Sequence, residues 1–229
     1  EEQHKTFGRK FGTLNIHPRY VPLENHPEII PIRKDPEHTT NVGGIWHQDL
    51  THLENPPLGS ILFALEVPSA GGDTMFANQY LAYEALSKGM KDLLDGMVAI
   101  HDNLIQSPKV SAEKNSTRSS KLREDLNEED EPEMEHPVVV IHPETGRKAL
   151  YVNSIRTRRF KDMTEEESKP LLNYLVEHSY QPEFTCRFKW RKGSVAFWDN
   201  RCLMHFALND YQGQRRYMNR VTINGKRPV

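Results

Sequence analysis

Cysteine is scarce in this sequence: Cys186 and Cys202 are its only two among 229 residues, and they form no Cys-x-x-Cys pair. A disulfide scaffold or a cysteine-rich zinc site therefore has no support, and a reducing cytoplasm is the expected compartment. Long apolar runs are missing as well. No segment approaches the roughly 18 residues of a spanning helix, and no signal-like start is visible, so a membrane partner is not expected. Neither sign of charge dominates. The 30 basic and 32 acidic residues leave a formal net charge of −2, which is not the basic footprint of a nucleic-acid binder. Internal repeats are absent too. What is present, 36% hydrophobic residues in a chain of this length, suffices for one domain with a sizeable core, taken as residues 1–229.

Short β-like runs alternate with turn clusters. They fall at Ser60 to Val67, Thr74 to Ala77, Met97 to His101, Val138 to Ile141, Ala149 to Val152, Glu183 to Trp190, Ser194 to Trp198 and Arg216 to Asn224. His142-Pro143-Glu144-Thr145-Gly146 reads as a hairpin loop between two of them. Phe184, Cys186, Phe188 and Trp190 alternate with polar residues, the period of a half-buried strand. Two helices interrupt the pattern. Asn78 can cap one running to Leu86, with an apolar stripe of Leu81, Ala82 and Ala85. Thr164 and Glu167 form a capping box ahead of Leu171, Leu172, Leu175 and Val176, although Pro170 complicates that start and offers Ser168 as a rival cap. The expected class is mainly β with flanking helices, a sandwich or barrel. Between Pro108 and Glu135 the composition turns polar and loses its aromatics, which reads as a mobile excursion: a solvated loop or a lid over the active site.

The chemistry-bearing residues lie outside that stretch. Four His-x-acid pairs occur, where 11 His and 32 acids in 229 residues give about 1.5 by chance. In His26/Glu28 and His142/Glu144 the middle residue is proline, which disfavours a regular strand. His52/Glu54 runs into Asn55-Pro56-Pro57, a loop. His47/Asp49 remains. If Ile45 to Leu50 is extended, the imidazole and carboxylate share a face and Gln48 points away. With His205 downstream, they supply the two imidazoles and one carboxylate of a non-haem Fe(II) facial triad.

Several separated motifs recur in order: Trp46-His47-x-Asp49, Gly71-Gly72-Asp73-Thr74, His136-Pro137-Val138-Val139, Trp198-Asp199-Asn200-Arg201 with His205, and Arg215-Arg216. Through them the chain resembles, over nearly its whole length, the taurine dioxygenase family. That family of Fe(II)- and 2-oxoglutarate-dependent oxygenases also includes alkylsulfatase and phenoxyalkanoate dioxygenases. The resemblance implies a double-stranded β-helix, or jelly-roll, core. His47, Asp49 and His205 would hold iron; Arg216 would grip the distal carboxylate of 2-oxoglutarate, helped by Thr74. Dioxygen would complete the reactants. Arg216, Met218 and Arg220 would share one strand face, with two cations near one cavity. Family members carry further strands and a helix ahead of the point matching Glu1, so the N-terminal part of the fold is expected to be missing here. Homo-oligomers are common in the family.

By the same resemblance, His17, Tyr20, Leu50 and Arg220 fall at substrate-pocket positions. Ungapped alignment adds Arg156, where the taurine enzymes have a phenylalanine. Where they carry an asparagine ahead of the iron motif, this chain has Val42-Gly43-Gly44. The expected reaction is hydroxylation of a small anionic organic compound, an organosulfonate such as taurine or a relative, with succinate and carbon dioxide as coproducts. The alternatives are a phenoxyalkanoate or alkyl sulfate dioxygenase, a non-catalytic jelly-roll binding protein, or a zinc hydrolase using the same three ligands.

Overall fold

The computed structural model describes residues 1–103, 120–123 and 133–229. In chain order the elements begin with α1 (Glu2–Gly8), β1 (Ile29–Lys34), β2 (Gly59–Glu66), β3 (Thr74–Asn78), α2 (Gln79–Glu84), α3 (Lys88–Leu94) and β4 (Val98–His101). There follow β5 (Met134–Pro137), β6 (Val139–Ile141), β7 (Lys148–Leu150), β8 (Thr157–Phe160) and α4 (Glu165–Ser179). The chain ends with a 3-10 turn at Pro182–Phe184, β9 (Thr185–Phe188), β10 (Val195–Asp199), β11 (Leu203–Ala207) and β12 (Arg216–Ile223).

These strands pair antiparallel in four sheets: β1-β12-β2-β10, β11-β3-β9, β5-β4-β8 and the β6-β7 hairpin. The mainly β expectation holds, but the double-stranded β-helix does not. Among the described residues every sheet is open, and no ladder closes one into a barrel or jelly roll. The chain leaves β10 through a turn at Asn200 and its next strand, β11, joins a different sheet. Local alternation identifies strands but does not encode such long-range partners.

Among the described residues, two of three hydrophobic clusters organise these layers, the third gathering Tyr80, Val140, Ala149, Tyr151 and Cys202. One packs Ile30, Ile32, Leu62, Ala64, Trp198 and Met218 of the first sheet with Phe76 and Trp190. The other packs Leu172, Leu175 and Val176 of α4 with Ala82 and Leu94 against Ala99, Leu150 and Phe160. Within α2, Leu81 and Ala85 are exposed and Ala82 packs inward with Tyr80 and Gln79, so the apolar stripe is narrower than its letters suggest. Cys186 is exposed, leaving β9 only partly covered.

Most of the polar stretch from 108 to 135 lies outside the described residues. Of its remainder, Ser120 accepts a hydrogen bond from the Arg33 N–H at 2.6 Å, and Leu122 bridges to Tyr20. Met134 and Glu135 begin β5. Among the described residues no helix is long and apolar enough to cross a membrane.

Candidate metal centre

His47 and His205, remote in sequence, are joined directly through their backbones. The His47 N–H donates to the His205 carbonyl at 3.1 Å, and the His205 N–H to the His47 carbonyl at 2.8 Å. Opposed residues of an antiparallel pair put their side chains on one face, and the two imidazole centroids are 4.1 Å apart. The expected extended run from Ile45 to Leu50 is reduced to this one bridge. Next to it, Trp46 stacks on Tyr180 and Phe206 at 5.7 and 5.6 Å. After Asp49 the chain turns at Leu50, whose φ of +51° is left-handed. For a bulky residue that costs roughly 1–2 kcal/mol, and such strain survives only where the surroundings fix it. Gln48 is fully buried beside the two ligand candidates, and its amide lacks a hydrogen-bond partner among the described residues.

Ligand atoms of His47, Asp49 and His205 lie within 4.8 Å of one another. The His47 Nδ1 is 2.6 Å from the Ile45 carbonyl. A carbonyl only accepts, so Nδ1 carries a hydrogen there, and Nε2 lies 3.6 Å from Asp49 Oδ1. The His205 Nε2 is 3.9 Å from the same oxygen. Burial lowers the His205 pKa to about 3, with His47 adding repulsion and Asp49 opposing it. It is therefore neutral and able to donate to a cation. Burial alone would raise the Asp49 carboxyl, but opposing charge, led by Arg220, holds the group well below its ordinary value. Arg220 Nη1 sits 3.4 Å from Oδ1, and Ser60 Oγ donates to Oδ2 at 3.2 Å.

Two other groups of potential ligands occur among the described residues: His142 with Asp199 and Cys202, and Asp35 with Glu37 and His38. Both are already compensated. Arg201 forks onto Asp199 at 2.6 and 2.9 Å, and Arg33 and Arg215 pair with Asp35.

Arg216 opens β12 and is buried. Its Nε donates to the Gly72 carbonyl at 2.9 Å, while Nη2 has no partner among the described residues. Burial lowers its pKa from the usual arginine value. Gly72 makes this approach feasible: its φ is +68°, and a Cβ there would lie 2.9 Å from Pro68 and 3.2 Å from the Arg216 side chain. Thr74 Oγ1 accepts from the Trp190 indole N–H at 3.0 Å, and the Arg216 guanidinium lies 5.7 Å from the Trp190 ring centroid.

A cavity of about 440 Å³ opens beside the triad. His17, Tyr20, Leu50, Arg156 and Arg220 all line it, together with His47 and Asp49. Thr74 and Arg216 do not line it, so only one of the two β12 arginines reaches this space. His17 Nδ1 accepts from the backbone N–H groups of Arg19 and Tyr20 at 3.1 and 3.3 Å. Burial, with Arg220 beside it, pushes the His17 pKa down to about 3. The ring is thus neutral with its hydrogen on Nε2. Arg156 is placed by Asn153, whose Oδ1 accepts from its N–H at 3.0 Å, and its guanidinium donates to Asn103.

Sequence reasoning passed over several supporting residues: Ser60, Asn200, Trp190, Gly72 and Asn41. Asn41 also lines the cavity, although its amide donates to the Ala207 carbonyl at 3.0 Å. Asn200 and Gly72 stand inside quoted motifs, which was the available signal. Ser60 carried none.

Two imidazole nitrogens and a carboxylate oxygen converging in a buried site define the two-histidine, one-carboxylate class of metal centre. The chain belongs to the Taurine catabolism dioxygenase TauD, TfdA family, whose sequence profile matches residues 1–222. It is 38% identical over 183 residues to an alkylsulfatase of Acinetobacter baylyi, spanning 79% of this chain and 56% of that protein. To an alpha-ketoglutarate-dependent sulfate ester dioxygenase of Pseudomonas putida it is 35% identical over 184 residues, 80% of this chain and 60% of the other. A crystal structure of a taurine dioxygenase from Burkholderia xenovorans matches with a TM-score of 0.78 and 36% identity, covering 100% of this chain and 74% of that one. The chain thus spans little more than half the length of these curated relatives.

Proposed function

We propose that this protein is an Fe(II)- and 2-oxoglutarate-dependent dioxygenase that oxidises a small anionic organic compound, an organosulfonate or a sulfate ester. The observation that carries the reading is the convergence of His47, Asp49 and His205 within 4.8 Å. The donor set suits iron: two neutral-capable imidazoles and one ionised carboxylate. The buried Arg216 Nη2, without a hydrogen-bond partner among the described residues, suits a carboxylate-bearing cosubstrate. Bound iron with 2-oxoglutarate and dioxygen supplies oxidative decarboxylation to succinate and carbon dioxide, coupled to oxidation of a substrate C–H bond.

The chain's own residues bind and orient. Arg216 would anchor the distal carboxylate of 2-oxoglutarate, with Thr74 and Trp190 beside it. His17 would offer its Nε2–H, and Arg220 its guanidinium, to the anionic head of the substrate in the cavity, with Tyr20 closing that side. Leu50 would pack the reacting carbon against the metal ligands, and Arg156 would address a polar group farther out. Holding the C–H bond at the centre restricts unproductive oxidation. The sulfur-oxyanion preference draws on two relatives described as an alkylsulfatase and a sulfate ester dioxygenase.

Anaerobic titration of Fe(II)-loaded protein with 2-oxoglutarate tests the cofactor reading. A weak visible charge-transfer band is expected, followed by succinate release with sulfonates or sulfate esters. Folded, iron-loaded protein that gives no band would overturn it.

A further inference from the structure

Asp49 sits where regular structure cannot hold it. The backbone pairing at His47 has ended, and Leu50 has already turned left-handed. A buried peptide group in such a place needs partners from elsewhere. Asn200 supplies both. Its Oδ1 accepts from the Asp49 N–H at 2.7 Å, and its Nδ2 donates to the Asp49 carbonyl at 3.0 Å and to the Pro57 carbonyl at 3.3 Å. The side chain is wholly buried, and these contacts all go to backbone.

We propose that Asn200 is a positioning residue of the metal centre, gripping Asp49 through its N–H and its carbonyl and thereby fixing where that carboxylate lies. The inference rests on reading His47, Asp49 and His205 as metal ligands. Asn200 is itself anchored: it follows β10 directly, and its N–H donates to the Leu58 carbonyl at 2.8 Å. A rigid strand end therefore transmits its position to the ligand turn. The work is divided with Ser60, which donates to the carboxylate at Oδ2 and is braced by Thr222 at 3.1 Å. Ser60 orients the oxygens, whereas Asn200 locates the backbone that carries them. Because Leu50 is strained, releasing the grip lets the turn relax and moves Asp49 relative to the paired histidines. Neighbours that orient ligands are worth roughly 10- to 100-fold in metal affinity.

Anaerobic Co(II) titration of the full chain, followed by the visible ligand-field spectrum, tests this alongside thermal unfolding of each metal-free protein. The variants are Asn200→Ala, Asn200→Asp, His205→Ala and Leu172→Ala, the last removing a buried α4 side chain remote from the site. The expected result is Co(II) affinity lowered about 10- to 100-fold in Asn200→Ala, with an altered spectrum. Leu172→Ala should lose thermal stability but keep both affinity and spectrum. Asn200→Asp retains the acceptor for the Asp49 N–H and loses the amide donor, so it should fall between wild type and Asn200→Ala; it carries the test if Asn200→Ala does not fold. Wild-type affinity and spectrum in the Asn200 variants would overturn the positioning role while leaving the metal reading intact. Co(II) binding indifferent to His205→Ala would overturn both.

Discussion

A buried guanidinium with no carboxylate hydrogen-bonded to it is costly to maintain, and among the described residues Arg216 is in that position: Gly72 takes one of its N–H groups and Nη2 is left over, with Asp73 acting only through its charge. If the cosubstrate satisfies it, Arg216→Ala removes one partner of a buried charge pair. A loss of about 2–4 kcal/mol is expected, roughly 30- to 1000-fold in 2-oxoglutarate affinity, with metal affinity little changed. Charge-transfer titration measures it, and an unchanged dissociation constant would remove Arg216 from that role. Arg156→Ala should instead reorder the substrates accepted, read as changed relative kcat/KM across a sulfonate and sulfate ester panel; a larger effect on 2-oxoglutarate would take Arg156 out of the substrate cavity. Residues whose side chains carry the chemistry are the ones a sequence can reveal. His47, Asp49 and His205 were singled out by type and order, and the backbone does bring them together. Asn200 and Ser60 were not assigned roles, because their importance lies in hydrogen bonds to Asp49 across 151 and 11 residues, which no local pattern announces.

Local hydrogen bonding explains which elements could be read in advance. The capping box at the start of α4 is complete: Thr164 Oγ1 accepts from the Glu167 N–H at 3.2 Å, and Glu167 accepts from the Thr164 N–H at 2.8 Å. Ser168, the rival cap, lies inside the helix and uses its Oγ to accept from the Phe160 N–H. Thr164→Ala should cost about 1 kcal/mol, lowering Tm by roughly 2–4 °C without altering metal affinity; a calorimetric scan decides. Gly72→Ala belongs to the same scale, since it disturbs a turn. Its left-handed φ and the 2.9 Å approach to Pro68 leave no room for a Cβ, so lost stability and weakened 2-oxoglutarate binding should appear together. Normal binding in that variant would show that the turn does not place Arg216. Strand positions were legible in β2, β10 and β12 as short β-like runs bounded by turn residues; of the three only β10 alternates exposed and buried side chains, while β2 and β12 are buried along most of their length. By contrast, β11 emerged only in the structure, because its five residues stand in register with β3 through a long-range pairing. The closed jelly roll was implied by the family resemblance and not read from strand alternation, and the sheets found among the described residues are open.

The whole molecule carries several imidazoles in places that cannot take a proton cheaply, and this fixes its acid stability. Burial lowers the His101 pKa well below the ordinary value, with His136, His52 and Arg156 adding repulsion. Burial also lowers His136 and brings His17 to about 3. Above pH 6.5 these groups are neutral in both the folded and unfolded chains, so they leave stability unchanged. As the pH falls below 6.5, the unfolded chain takes up protons that the folded one refuses. Stability is therefore lost progressively towards pH 3, where His17 at last protonates in the folded protein. His17, whose folded-state value sets the lower end of that window, contributes on the order of 1 kcal/mol per pH unit across it, and His101 and His136 act in the same direction. Urea unfolding of the metal-free protein at pH 7.5 and 5.5 should show a lower midpoint at the acidic value. His101→Gln, although less stable overall, should show a smaller difference between the two. Equal wild-type midpoints at both pH values would mean that the buried imidazoles accept protons in the folded state. Saturating metal should shift both midpoints upward through binding to the folded form alone, but less at pH 5.5, where protons compete for the imidazoles it needs.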